Sequence, residues 1–137
     1  MREYILQPAM PILLLAIGIL LGAFGAHGLE PHLTEKSLSV WEKAVFYQLI
    51  NGAALLSVSL YQQEIIYRRQ RWACLLVTTG TVLFSGSLYF LATKDMINWG
   101  FTGILGPITP IGGSLMISGW IWLALTFGKR GQIVFRD

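Results

Sequence analysis

Four stretches of the chain carry no charged residue and are dominated by apolar ones: 9–26, 44–63, 72–93 and 98–128. Short polar segments separate them. A hydrocarbon core of about 30 Å needs about 20 helical residues, so each stretch is long enough to cross a bilayer. A helix also satisfies its own backbone groups where no water is present. The pattern predicts an all-α, integral membrane four-helix bundle, with spans at about 8–28, 42–63, 72–93 and 98–128 in a single transmembrane domain over 1–137. The connections after the second and third spans are short, which makes successive helices antiparallel neighbours.

Ser39 followed by Glu42 before an apolar run matches a capping box and predicts that the second helix starts there, leaving 30–38 as a loop. No Asp or Glu stands between the ends of these spans.

Composition agrees with the pattern: 54% of the 137 residues are hydrophobic and 12% charged, with a mean hydropathy of +0.59. A water-soluble core of this size could not hide so much apolar surface, so the expected solvent is lipid. The net charge of +3 raises the question of nucleic acid. The basic residues, however, lie between the apolar runs and form no stripe interleaved with aromatics, so the bilayer is the expected partner and nucleic acid is not. Glu3 weakens a basic leader region and the first run is longer than a signal-peptide core, which favours an uncleaved span. Cys74, the single cysteine, allows no intramolecular disulfide and reads as a buried, inert thiol.

With four spans, Arg2, Arg68, Arg69, Arg71, Lys129, Arg130 and Arg136 share one side, against Lys36, Lys43 and Lys94 on the other. The positive-inside rule then places both termini in the cytoplasm. Trp41, Tyr89 and Trp99 are expected at the outer interface, Tyr61, Tyr67 and Trp72 at the inner one, and Trp120 and Trp122 deeper, packed.

Gly18 and Gly22, and then Gly25 and Gly28, leave one face of the first span almost bare backbone, suited to close helix packing within the bundle or to a homo-oligomer seam. The fourth run, about thirty residues where about twenty would cross, contains "GPITPIGG". In a continuous helix Pro107 would strip the donor from the Gly103 carbonyl and Pro110 that from Gly106. A helix broken or kinked at 106–110 is expected. The freed acceptors suit either a proline kink repaired by neighbouring hydroxyls or, as in broken transporter helices, an ion or solute site.

Counting depth from these ends, His27, Gln48, Asn51, Ser85, Ser87 and Thr109 all fall in the outer half and are expected to form one polar cluster. Gln48 and Asn51, three apart, share a helix face. The cluster reads either as a network that holds helices together or, through the His27 imidazole, as a means of carrying or sensing a proton. His27, Glu30, His32 and Glu35 match no metal-binding spacing, so no metal is expected. No phosphate loop, nucleophile elbow or dinucleotide fingerprint is present; neither catalytic residues nor a cofactor is assigned, and the chain is not expected to be an enzyme.

"GAFGAHGL" in the first span, "WEKAVFYQLINGAALL" in the second, "LFSGSLY" in the third and "GPITPIGG" with a following "GW" in the fourth resemble, in order and over nearly the whole chain, the signatures of domain-of-unknown-function family 423. That group holds YgdD-like and transmembrane protein 256-like small integral membrane proteins. The resemblance implies a four-helix membrane protein, in a bacterial inner (plasma) membrane before a mitochondrial one, and leaves the activity open. Where the family pattern places a histidine and then an alanine, this chain has Asn51 and Gly52. An amide there keeps hydrogen bonding but not proton or metal chemistry. Two functions compete: a membrane interaction or assembly protein, with a copy of itself or another membrane protein as partner, and a small carrier or channel for a proton, ion or small polar solute.

Overall fold

The computed structural model describes residues 8–61, 68–98, 100 and 102–131, with the backbone alone at 61, 68, 69, 102 and 128–131. Among the charges and aromatics used above for topology, Arg2, Glu3, Tyr67, Trp99 and Arg136 lie outside the described residues.

Helix α1 (Ala9–Phe24) continues as a π-helical turn over Gly25–Leu29. There the N–H of Glu30 reaches back five residues to the Gly25 carbonyl at 3.0 Å, and Pro31 closes the helix because it has no N–H to donate. Helix α2 (Glu35–Tyr61) follows. Its start differs from the expected Ser39: Thr34 Oγ1 accepts the N–H of Ser37 at 3.2 Å and its carbonyl accepts that of Leu38. Thr34 therefore caps α2, and the helix begins four residues before the capping-box pattern suggests. Helix α3 (Arg68–Ala92) leads into the one-turn α4 (Lys94–Ile97). Asn98 ends that turn in the left-handed region, φ 54°, which asparagine enters at lower cost than most side chains. Helix α5 (Thr102–Gly131) completes the chain.

Four helices are long and apolar enough to span: Ala9–Leu29, Glu35–Leu60, Gln70–Ala92 and Gly103–Phe127. The substantial interfaces run between sequence neighbours, α1 with α2, α2 with α3 and α3 with α5. The result is an all-helical bundle of antiparallel neighbours. Apolar side chains fill its interior at Leu14, Leu55, Ala73, Cys74, Val77 and Leu123, and a second cluster of Leu29, Trp41 and Ala92 lies towards the end that carries the 30–34 connection, hereafter the 30–34 rim. Outside, large apolar side chains such as Leu20 and Ile104 stand about two-thirds exposed, as expected where lipid is the solvent.

Three expectations change here. Of the two forms expected at Gly106–Pro110, broken or kinked, the break does not occur: helix α5 runs through both prolines, and Pro107 and Pro110 turn their rings outward, away from packed neighbours. The early start of α2 places Glu42 about two turns inside the helix rather than in its first turn. Trp122, expected to be packed, is exposed, whereas Trp41 lies at the 30–34 rim and is buried there.

Candidate functional site

Gln48 and Asn51 occupy the buried face of α2, each 6% exposed. Both stand near the middle of helix α2. Gln48 Nε2 donates to the Leu14 carbonyl of α1 at 2.9 Å, and Tyr89 of α3 donates its hydroxyl to Gln48 Oε1 at 2.9 Å. One amide thus joins three helices. Asn51 Nδ2 donates to the Tyr47 carbonyl one turn back, while Asn51 Oδ1 accepts the indole N–H of Trp120 on α5 at 2.8 Å.

Towards the 30–34 rim, Trp41 Nε1 donates to the Leu21 carbonyl at 2.9 Å. Its ring packs against Tyr89 at 4.6 Å between centroids. On the α3–α5 side, the hydroxyls of Ser87 and Thr109 lie 2.7 Å apart. Ser87 Oγ is also 2.9 Å from the Phe84 carbonyl, and Thr109 Oγ1 3.3 Å from that of Leu105. Each hydroxyl has one proton. Either hydroxyl can donate across the interface, the other then donating to the carbonyl of its own helix.

The expected single cluster therefore resolves into three separate bridges. Gln48, Asn51, Ser87 and Thr109 each take part in one. Ser85 is buried, and its Oγ has no hydrogen-bond partner. His27 stands exposed on the π-helical turn and joins none of the bridges, because that turn directs it away from α2. Tyr89, Trp120 and Trp41 are the functional side chains the sequence reading missed. The available signal was that an indole or phenol inside a span needs a partner for its polar atom. His27, Glu30, His32 and Glu35 are all exposed, and no three His, Cys, Asp or Glu side chains gather as metal ligands among the described residues.

The glycines divide in a similar way. A Cβ on Gly18 would come 2.7 Å from Leu49, on Gly22 3.3 Å from Val45 and on Gly25 2.5 Å from Trp41 Nε1, so these three hold α1 against α2. Gly28 differs: the atoms nearest its Cβ would be those of Phe24, one turn back on its own chain segment. Around Gly103 and Gly106 there is open space. No side chain is bonded to their carbonyls among the described residues, so the hydroxyl repair expected for a kink does not occur at these two. The closest helix approach lies elsewhere, between α3 and α5. A Cβ on Gly80 would fall 2.6 Å from the Met116 backbone nitrogen, on Gly112 2.5 Å from that of Phe84, and on Gly119 2.8 Å from the Ala73 carbonyl. Ala73 and Gly80 on one helix, and Gly112 and Gly119 on the other, are each seven apart, a spacing that keeps small residues on one seam.

The arrangement joins every spanning helix to another by at least one polar contact. Bonds of this kind specify depth and rotation as well as adding stability, because a polar atom that slips into an apolar layer loses its partner.

The family described as "Protein of unknown function (DUF423)" matches residues 21–113. A UPF0382 membrane protein of Staphylococcus epidermidis is 44% identical over 91% of this chain and 94% of its own length. UPF0382 membrane protein YwdK of Bacillus subtilis is 38% identical over 94% and 98%. A UPF0382 membrane protein of Schizosaccharomyces pombe is 40% identical over 78% and 86%. No solved structure matches the chain. The relatives' names and the four spanning helices agree on a multi-pass membrane protein.

Proposed function

We propose a role for this chain, which belongs to the family of unknown function DUF423: it is a membrane interaction or assembly protein, a sealed helical scaffold that presents its outer faces to lipid and to a membrane partner or a second copy of itself. The observation that carries this reading is Gln48, whose amide is engaged at both ends by α1 and α3 near the middle of α2. Asn51, one turn on, is engaged by α5. Polar groups bonded to one another are not available to coordinate a solute. The carrier reading also loses its broken helix, since α5 is continuous. We assign no catalytic residue.

The charge asymmetry between the two sides supports both termini being cytoplasmic, and the Staphylococcus and Bacillus relatives support a bacterial plasma-membrane location.

Single cysteines at Asn51, Ser85 and Thr109, in a Cys74→Ser background, test the reading with a membrane-impermeant thiol reagent added from outside. The expected result, in folded and inserted protein, is no labelling at any of the three. Rapid labelling of all three would reveal an aqueous pocket and overturn the scaffold in favour of a carrier.

A further inference from the structure

At the 30–34 rim the groove between α1 and α2 opens into a cleft of about 290 Å³. Its floor is the nearly bare backbone of Gly22 and Gly25, and Trp41 and Phe46 stand along its α2 side. It exists because the floor residues lack side chains: Gly25 lies so close to the Trp41 indole that a Cβ would be 2.5 Å from Nε1.

Two carboxylates, Glu30 and Glu42, line the same cleft, and both are exposed. Neither has an ion-pair or hydrogen-bond partner among the described residues. Glu42 follows Trp41, which packs against Gly25 about one helical turn before Leu29. The negative charge of the two carboxylates is not balanced within the cleft, since no Lys or Arg lines it.

We propose that this cleft binds a membrane lipid with a primary ammonium headgroup, of the ethanolamine class. The ammonium lies between Glu30 and Glu42, and the glycerol and first chain carbons run over the Gly22 and Gly25 backbone beside the Phe46 ring. The charge and the apolar floor of the cleft select this occupant. A primary ammonium offers three N–H donors to two carboxylates. A trimethylammonium offers none, and an anionic headgroup is repelled. The apolar floor at the membrane edge suits the part of a lipid where headgroup meets chain. The inference is independent of the Gln48 and Asn51 bridges and stands or falls separately from the scaffold reading.

The test is native mass spectrometry of the full chain in detergent, titrated with phospholipids of identical chains and ethanolamine, choline or glycerol headgroups. The ethanolamine lipid is expected to bind about fivefold tighter than either other, the scale of a charged contact at an exposed site. The double variant Glu30→Gln/Glu42→Gln should bring the three to near equality. Glu35→Gln, an exposed carboxylate at the same rim that does not line the cleft, should leave the preference intact. Equal binding by the unaltered chain, a preference that survives the double variant, or one lost equally in Glu35→Gln would overturn the proposal. So would a dimer that dissociates in the double variant, since a partner's cation would then fill the cleft.

Discussion

The indole N–H of Trp120 donates to Asn51 Oδ1 at 2.8 Å, across 69 positions of sequence, and ties α5 directly to α2. Those two helices share no extensive interface. The bond sits at the floor of an apolar groove of about 310 Å³ lined by Phe46, Tyr47 and Met116. It is the polar contact that sets how α5 is rotated relative to α2.

Trp120→Phe keeps most of the ring and removes the donor. Unfolding in mixed detergent micelles should show a loss of about 1 kcal/mol, and a double-mutant cycle with Asn51→Ala should give a coupling of about 0.6–1.7 kcal/mol, the range of interhelical hydrogen bonds in membranes. Additive single effects would mean the bond contributes nothing net.

Gln48→Leu retains bulk but releases the Tyr89 hydroxyl and the contact to the Leu14 carbonyl. The expected cost is about 1–3 kcal/mol, because a polar group is left unpaired in an apolar layer. Combining it with Tyr89→Phe should recover part of that loss, since the second change removes the orphaned hydroxyl. The same micelle titration checks both variants.

Gly80→Ala and Gly112→Ala should each destabilise by at least about 1–3 kcal/mol, the usual cost of overpacking. In both, the new methyl meets backbone of the facing helix, which cannot rotate aside. Gly106→Ala meets nothing within 4 Å and should change stability by less than about 0.5 kcal/mol. Equal effects at all three positions would contradict the α3–α5 seam.

Pro110→Ala returns an N–H to the Gly106 carbonyl within a helix that is already continuous. It should stabilise the protein by about 1 kcal/mol, less than the roughly 3 kcal/mol cost of proline in a water-exposed helix because membrane helices tolerate it better. A destabilised variant would show that the ring itself is required at that position.

The buried amides were legible because Gln48 and Asn51 interrupt an otherwise apolar run and share a face at a spacing of three. Their partners were not, because Tyr89 and Trp120 lie 41 and 69 residues away, and no local pattern reports which turn of one helix faces which turn of another. Gly18, Gly22 and Gly25 were legible as a bare face; Gly28 was misread because a π-helical turn adds a residue and breaks the periodicity on which the count relied. The α3–α5 seam is encoded in the seven-residue spacing of Ala73 and Gly80 and of Gly112 and Gly119, a sparser signal than the glycines of α1.

By itself the sequence determined that the chain crosses the membrane four times as helices, because charge-free runs of bilayer length leave the backbone no other way to satisfy its hydrogen bonds. It also determined that the amides of α2 turn inward, since lipid offers them no partner. Only the tertiary structure decided that Thr34 starts α2, which leaves Gln48 near the middle of that helix and Glu42 about two turns inside its start. It likewise decided that His27 lies apart from the bridges. Those outcomes depend on how four helices settle in depth and rotation against one another, which close packing at Gly25, Gly80 and Gly112 sets and a one-dimensional periodicity does not contain.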